Sequence, residues 1–206
     1  MNKKEELIYW AKRLYYRGMS PATSGNISVL DEDNKILISS SGSCLGDLAE
    51  TDIVTIDFEG NQLSKGKKPS GEKYLHSAIY EARADVEAVI HSHCPYITAF
   101  AVAGVPIKDA ILPEFVYQFG EIPVAKYATP SSFELVDNCL AYFKKGHNIV
   151  LMKNHGVVIA GADLRTCFMG LESVRAYAET YFGAMVLGGV QKLNAKQISE
   201  INKLKG

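Results

Sequence analysis

Apolar residues recur at helical spacing near the start of the chain: Leu7, Ile8, Ala11, Leu14 and Tyr15, with Lys12, Arg13 and Arg17 between them. That spacing predicts a first helix ending at Gly18. The period then shortens to two. Ile27-Ser28-Val29-Leu30 reads as a strand, Asp31 to Asn34 as a turn, and Lys35 to Ser39 as the returning strand of a hairpin. Ile53 to Phe58 and Glu59 to Leu63 read as a second hairpin. A helix follows over roughly Glu72 to Ala84, with Leu75, Ile79 and Tyr80 inward. Val86 to His93 is an apolar strand, and Pro95 starts a helix to about Val102. Ile122 to Tyr127 reads as an edge strand, because Pro123 cannot donate a ladder hydrogen bond. Ser131 or Ser132 caps a helix to Lys145, and strands over 149–153 and 157–160 flank Asn154-His155-Gly156. Ala162 or Asp163 begins a long helix to about Leu187. Residues 190–206 form a polar, lysine-rich tail, mobile or covered by a partner. The pattern predicts one α/β domain over 1–206, with helices around a largely antiparallel sheet.

Composition narrows the function. With 47% hydrophobic residues, the 206-residue chain can bury a substantial core. A net charge of -1 leaves no basic footprint for nucleic acid or an anionic membrane. No apolar run approaches membrane-spanning length and the first residues lack a signal-peptide pattern, so a cytoplasmic protein is expected. Cys44, Cys94, Cys139 and Cys167 include no C-x-x-C pair.

The chemistry concentrates in histidines. His91 and His93 lie two apart at the end of an apolar run, which aims both rings to one side. His155 ends another apolar run, just before Gly156. Three neutral imidazoles leave a zinc ion an open position, the catalytic pattern. A structural zinc would want a fourth strong ligand, usually cysteine, and Cys94 should point to the opposite face. Glu72, at the start of a helix, is the natural carboxylate partner; an ordinary first-turn acid favoured by the helix dipole is the plainer alternative. His76 lies four residues further on and reads as structural. Three loops rich in glycine and small hydroxyl residues could bring backbone N–H groups to an anion: Thr23 to Asn26, Ser40 to Ser43, and Ser70-Gly71.

Taken in order, these segments resemble the zinc-dependent class II aldolase/adducin family, in its L-fuculose-1-phosphate aldolase-like branch. The resemblance is carried by Thr23-Ser24-Gly25-Asn26-Ile27-Ser28, Ser40-Ser41-Gly42, Lys68-Pro69-Ser70-Gly71-Glu72, His91-Ser92-His93, Tyr127-Ala128-Thr129-Pro130 and Asn154-His155-Gly156. It implies a three-layer α/β/α fold with a central, mostly antiparallel sheet, and a homotetramer with active sites at subunit interfaces. It implies one Zn2+ per subunit on His91, His93 and His155, with Glu72 as an additional resting ligand and as the acid/base. Gly25, Asn26, Ser41, Gly42, Ser70 and Gly71 would surround the substrate phosphate. The implied reaction is reversible cleavage of a ketose 1-phosphate to dihydroxyacetone phosphate and an aldehyde, through a metal-stabilised enediolate.

The same resemblance carries rivals. Methylthioribulose-1-phosphate dehydratase relatives place a glutamate acid/base about where Glu114 stands. Family aldolases use tyrosines on the aldehyde side. Tyr117 is the candidate here only if the alignment shifts, and no tyrosine follows Tyr181. Epimerisation, decarboxylation of a phosphorylated sugar acid and a non-enzymatic adducin-like module complete the alternatives.

Overall fold

The computed structural model describes residues 2–205. The first helix, α1 (Lys3–Tyr16), starts with a capping box in which Asn2 and Glu5 satisfy each other's backbone amides. Leu7, Trp10, Ala11 and Leu14 form its buried stripe. The hairpin follows as β1 (Asn26–Leu30) and β2 (Ile36–Ser39), then β3 (Ile53–Ile56). Helix α2 (Lys73–Ala82) leads to β4 (Ala88–Ser92) and α3 (Pro95–Ala103). Helix α4 (Pro113–Gln118), β5 (Val124–Ala125) and α5 (Phe133–Phe143) precede the pair β6 (Ile149–Met152) and β7 (Gly156–Gly161). The long α6 (Leu164–Val186) and the short α7 (Ala195–Asn202) complete the described chain.

The strands form one sheet in the order β3-β2-β1-β4-β7-β6-β5. Every pairing is antiparallel except β5 with β6. Both faces are apolar and buried, so side-chain alternation divides the strands between two cores. Ile27, Val29, Ala88, Ile90 and Leu151 join Trp10, Leu14, Phe168 and Leu171 on one side. Ile36, Ile38, Val89, Val150 and Val158 join Leu75, Ile79, Leu135 and Phe143 on the other. The result is three layers: α1, α3 and α6 on one face, α2 and α5 on the other. No described helix is long and apolar enough to cross a membrane.

The structure departs from the predicted elements in four places. The second hairpin keeps only β3; its return is a single bridge between Ile56 and Gln62. Here the Asp57 carboxylate accepts the backbone and side-chain amides of Asn61, at 2.7 and 3.0 Å, and closes a turn. The edge strand shrinks to two residues and runs parallel to β6. Pro123 contributes its carbonyl, which accepts from the Leu151 amide at 2.8 Å.

The polar tail, the third departure, contains α7, opened by an Asn194–Gln197 capping box. It is tied to the segment before α4 by a Leu193 amide bond to the Ala110 carbonyl (2.7 Å) and a Lys192–Asp109 ion pair (2.6 Å). α4 itself was not visible as a periodic segment.

Candidate metal centre

Sheet topology brings three distant segments to one end of the central strands. Register places Asn26 of β1 beside His91 of β4, and the tight β6–β7 turn carries His155 to the same end. The alternation expected of His91 and His93 holds: Ser92, between them, points into the opposite core and donates to the Met19 carbonyl. Ligand nitrogens of His91, His93 and His155 lie within 4.8 Å of one another, and no other such group of metal-capable side chains occurs among the described residues. Nε2 of His91 and Nε2 of His93 are 2.8 Å apart. Glu72, the N-cap residue of α2, closes the cluster. Its Oε2 lies 3.2 Å from His91 Nε2 and its Oε1 3.4 Å from His155 Nε2.

These residues fit a cation. A tetrahedral zinc with bonds of about 2.0–2.1 Å needs donor atoms roughly 3.3 Å apart, close to the spacings of this cluster. His91 Nδ1 lies 3.0 Å from the Val157 carbonyl and must donate to it, which leaves Nε2 as a bare lone pair facing the cluster. Burial pushes the imidazoles of His91, His93 and His155 down to about 4, so they stay neutral ligands at physiological pH. Glu72 Oε1 is buried and accepts no hydrogen bond from the described residues, as an oxygen awaiting a cation would. The residues do not by themselves choose among divalent transition metals.

The cluster is built where backbones touch. A Cβ at Gly156 would lie 2.5 Å from the Ser92 carbonyl oxygen and 3.1 Å from the rings of both His91 and His93. A Cβ at Gly25, at φ +78°, would lie 2.7 Å from the His91 carbonyl. Gly156→Ala is therefore expected to destabilise the fold by about 1–3 kcal/mol. Thermal denaturation reads this directly, and an unchanged midpoint would mean that β4 and β7 can separate without cost.

The three anion loops are not equally placed. Ser40 bridges Pro69, the Ser41 amide donates to the Lys68 carbonyl (2.9 Å), and the Ser70 amide donates to the Ser39 carbonyl (3.1 Å). The second and third loops thus lie side by side, next to Glu72, and Gly25 lies against His91. The amides of Ser41 and Ser70 are taken up by this stitching, so those residues can offer a phosphate only their hydroxyls. Gly42 has open space above it, whereas Gly71 is closed in by Ser131. The Asn26 amide is engaged by Glu72 and His76, which leaves it one free N–H.

Glu114 falls on the exposed first turn of α4, beside a cleft of about 160 Å³ shared with Ser173, Ala176 and Tyr177. None of the three histidines lines that cleft. Tyr117 lies half-exposed on the same helix. A larger cleft of about 610 Å³, lined by Glu121, His147 and Asn148 among others, opens at the far end of β6 and β7, so cavity size alone would misplace the chemistry. Sequence reasoning read His76 as structural but did not reach its partners. It is fully buried, with Nε2 2.6 Å from Asn26 Oδ1 and Nδ1 2.6 Å from Ser28 Oγ. Its signal was a polar residue on the apolar face of α2, four positions after Glu72.

Comparison with known proteins identifies the family of the chain. The profile of the family described as Class II Aldolase and Adducin N-terminal domain matches residues 5–182. A 3-oxo-tetronate 4-phosphate decarboxylase of Pectobacterium atrosepticum is 30% identical, across 97% of this chain and 92% of its own length. An L-fuculose phosphate aldolase of Methanocaldococcus jannaschii is 34% identical, across 85% of this chain and 93% of its own. The solved structure of an L-fuculose 1-phosphate aldolase superposes with a TM-score of 0.88 at 31% identity, covering 98% of this chain and 95% of the other. Matched along most of its length by profile, sequence and fold, this chain belongs to the class II aldolase and adducin family.

Proposed function

We propose that this protein is a metal-dependent carbon–carbon lyase that cleaves a short ketose 1-phosphate to dihydroxyacetone phosphate and an aldehyde. The observation that carries the reading is the convergence of three neutral imidazole nitrogens with a buried carboxylate oxygen that lacks a hydrogen bond. His91, His93 and His155 would hold the cation, with Glu72 as a further ligand at rest. A divalent cation such as Zn2+ would supply Lewis-acid polarisation of the substrate carbonyl. Glu72 would move the proton at C3, giving it to the enediolate left by cleavage and removing it in the addition direction. The hydroxyls of Ser41 and Ser70, with Gly25, Asn26, Gly42 and Gly71, would hold the phosphate end. By analogy with the family, the working form is a homotetramer whose interfaces complete the site.

A second reading rests on the decarboxylases among the relatives. Aldol cleavage breaks C3–C4 and must also remove the C4 hydroxyl proton as the aldehyde forms. Loss of CO2 from a 3-oxo-tetronate 4-phosphate breaks C1–C2, sends its electron pair to the C3 carbonyl, and yields the same enediolate. It needs no base on the leaving side.

One assay separates the two. Ketose 1-phosphates and the 3-oxo acid phosphate are supplied in turn, with and without a chelator. Dihydroxyacetone phosphate, aldehyde and CO2 are measured. Chelator-sensitive dihydroxyacetone phosphate with stoichiometric aldehyde is the expected result. CO2 in place of aldehyde would move the assignment to decarboxylation. Loss of water alone would overturn both.

A further inference from the structure

A line of buried hydrogen bonds runs from the candidate acid/base into the core, and its direction can be worked out bond by bond. Asn26 presents Nδ2 to Glu72 Oε2 at 3.2 Å, so the amide N–H donates to the carboxylate. That orientation turns Oδ1 toward His76 Nε2, at 2.6 Å. An amide oxygen can only accept, so Nε2 carries the ring proton. His76 is fully buried without a counter-ion on its ring and is neutral, which leaves Nδ1 as an acceptor. Ser28 Oγ, 2.6 Å away, must then donate to it. The Ser28 hydroxyl has one proton, so the Tyr80 hydroxyl, at 2.7 Å, donates to Ser28 in turn. The order is therefore Tyr80 to Ser28 to His76 to Asn26 to Glu72, each step a donor.

The arrangement follows from two short periodicities. Asn26 and Ser28 are two apart on β1 and share the face that looks toward α2. Glu72 and His76 are four apart and share one face of that helix. The imidazole fits between the two β1 side chains, 50 and 48 residues away in sequence, and fixes which end of the Asn26 amide meets the carboxylate. Without it, that amide could rotate and turn its oxygen toward Glu72, two acceptors facing each other.

We propose that His76 is a positioning residue. By holding Asn26 with its N–H toward Glu72, it keeps Oε2 occupied and Oε1 free to face the histidine cluster. The proposal rests on the reading of Glu72 as ligand and acid/base. His76 touches neither metal nor substrate, and the buried Tyr80 at the far end gives the relay no proton to deliver.

The test compares His76→Leu, His76→Gln and Ser28→Ala with the wild-type protein and with Glu72→Gln. Zn2+ affinity is read by competition with a chromogenic chelator, alongside kcat, KM and the denaturation midpoint of the metal-free protein. Removing a partner behind a metal ligand costs about 10–100-fold in affinity or activity. His76→Leu is expected to lose that much in Zn2+ affinity and in kcat, with KM little changed. His76→Gln, whose amide nitrogen can stand where Nε2 stood, should recover most of the loss. Ser28→Ala should show a smaller loss in the same two quantities.

A merely structural histidine would move only the denaturation midpoint. Folded His76→Leu with unchanged Zn2+ affinity and kcat would overturn the proposal. Should His76→Leu fail to fold, unchanged Zn2+ affinity and kcat in Ser28→Ala would overturn it equally, because that substitution removes the donor that fixes the His76 ring. Glu72→Gln separates the two levels. If it is impaired while folded His76→Leu and Ser28→Ala are normal, only the relay fails. If Glu72→Gln itself is normal, the role of Glu72 fails first.

Discussion

Glu72→Gln loses turnover by about 10²–10⁴-fold, the usual contribution of a positioned acid/base, while the protein stays folded and still binds a divalent cation. The amide matches the carboxylate in shape but cannot accept and return a proton at the reacting carbon. The histidines keep their positions, because they are held by β4 and the β6–β7 turn and not by Glu72. His91 in particular remains anchored by its bond to the Val157 carbonyl. The loss should fall on kcat more than on KM, since the phosphate loops are untouched. Steady-state kinetics with metal content measured on the same sample checks this. Near-normal cleavage with metal in place would remove Glu72 from the reaction.

His91→Ala is the second large effect: loss of the bound cation, and of activity with it. Among the three histidines His91 is the most deeply buried, it lies nearest His93, and its Nε2 is the lone pair whose direction the Val157 bond fixes. Two imidazoles and a carboxylate would remain around a gap where the best-oriented ligand stood, so a competing chelator should strip the cation. Metal analysis after dialysis reads the result, and retained stoichiometric metal would contradict the assigned ligand set.

Chelating the wild-type protein should produce a related change in acid tolerance. Burial depresses the folded-state values of His91, His93 and His155 to about 4 and that of His76 to about 3, against 6.5 in a free chain. Between those limits the unfolded chain binds more protons than the folded one. Stability is then full above about pH 6.5 and falls progressively as the pH drops toward 4. A flat denaturation midpoint across that window in metal-free protein would contradict it.

Much of this could be read from the sequence, for reasons particular residues make plain. The period-two runs around Ile27, Ile36, Val89 and Val158 each bury both faces, so their strands announced themselves. His91 and His93 needed only the strand's alternation to be placed together. His155 was legible from the turn beside Gly156. Beyond this, local pattern ran out. Six residues of α4 are too few for a helical period to show, and α7 presents only half-buried Ile198 and Ile201. The parallel pairing of β5 depends on where α4 delivers the chain. His76 was visible as a buried polar residue on α2. Its partners lie on β1, and nothing local to either segment says that they meet.

The ligands of this cluster are local in one pair only. His91 and His93 are neighbours in any conformation, whereas Glu72 and His155 reach them only once β4 lies against β7 and α2 has packed on the sheet. An unfolded chain thus retains a two-imidazole fragment of the site, and loops of 19 and 62 residues must close before the rest is assembled. A cation held here arrives after the topology is settled. It should leave the rate of folding nearly untouched and slow the rate of escape from the native state, a latch on a finished structure and not a template for building it.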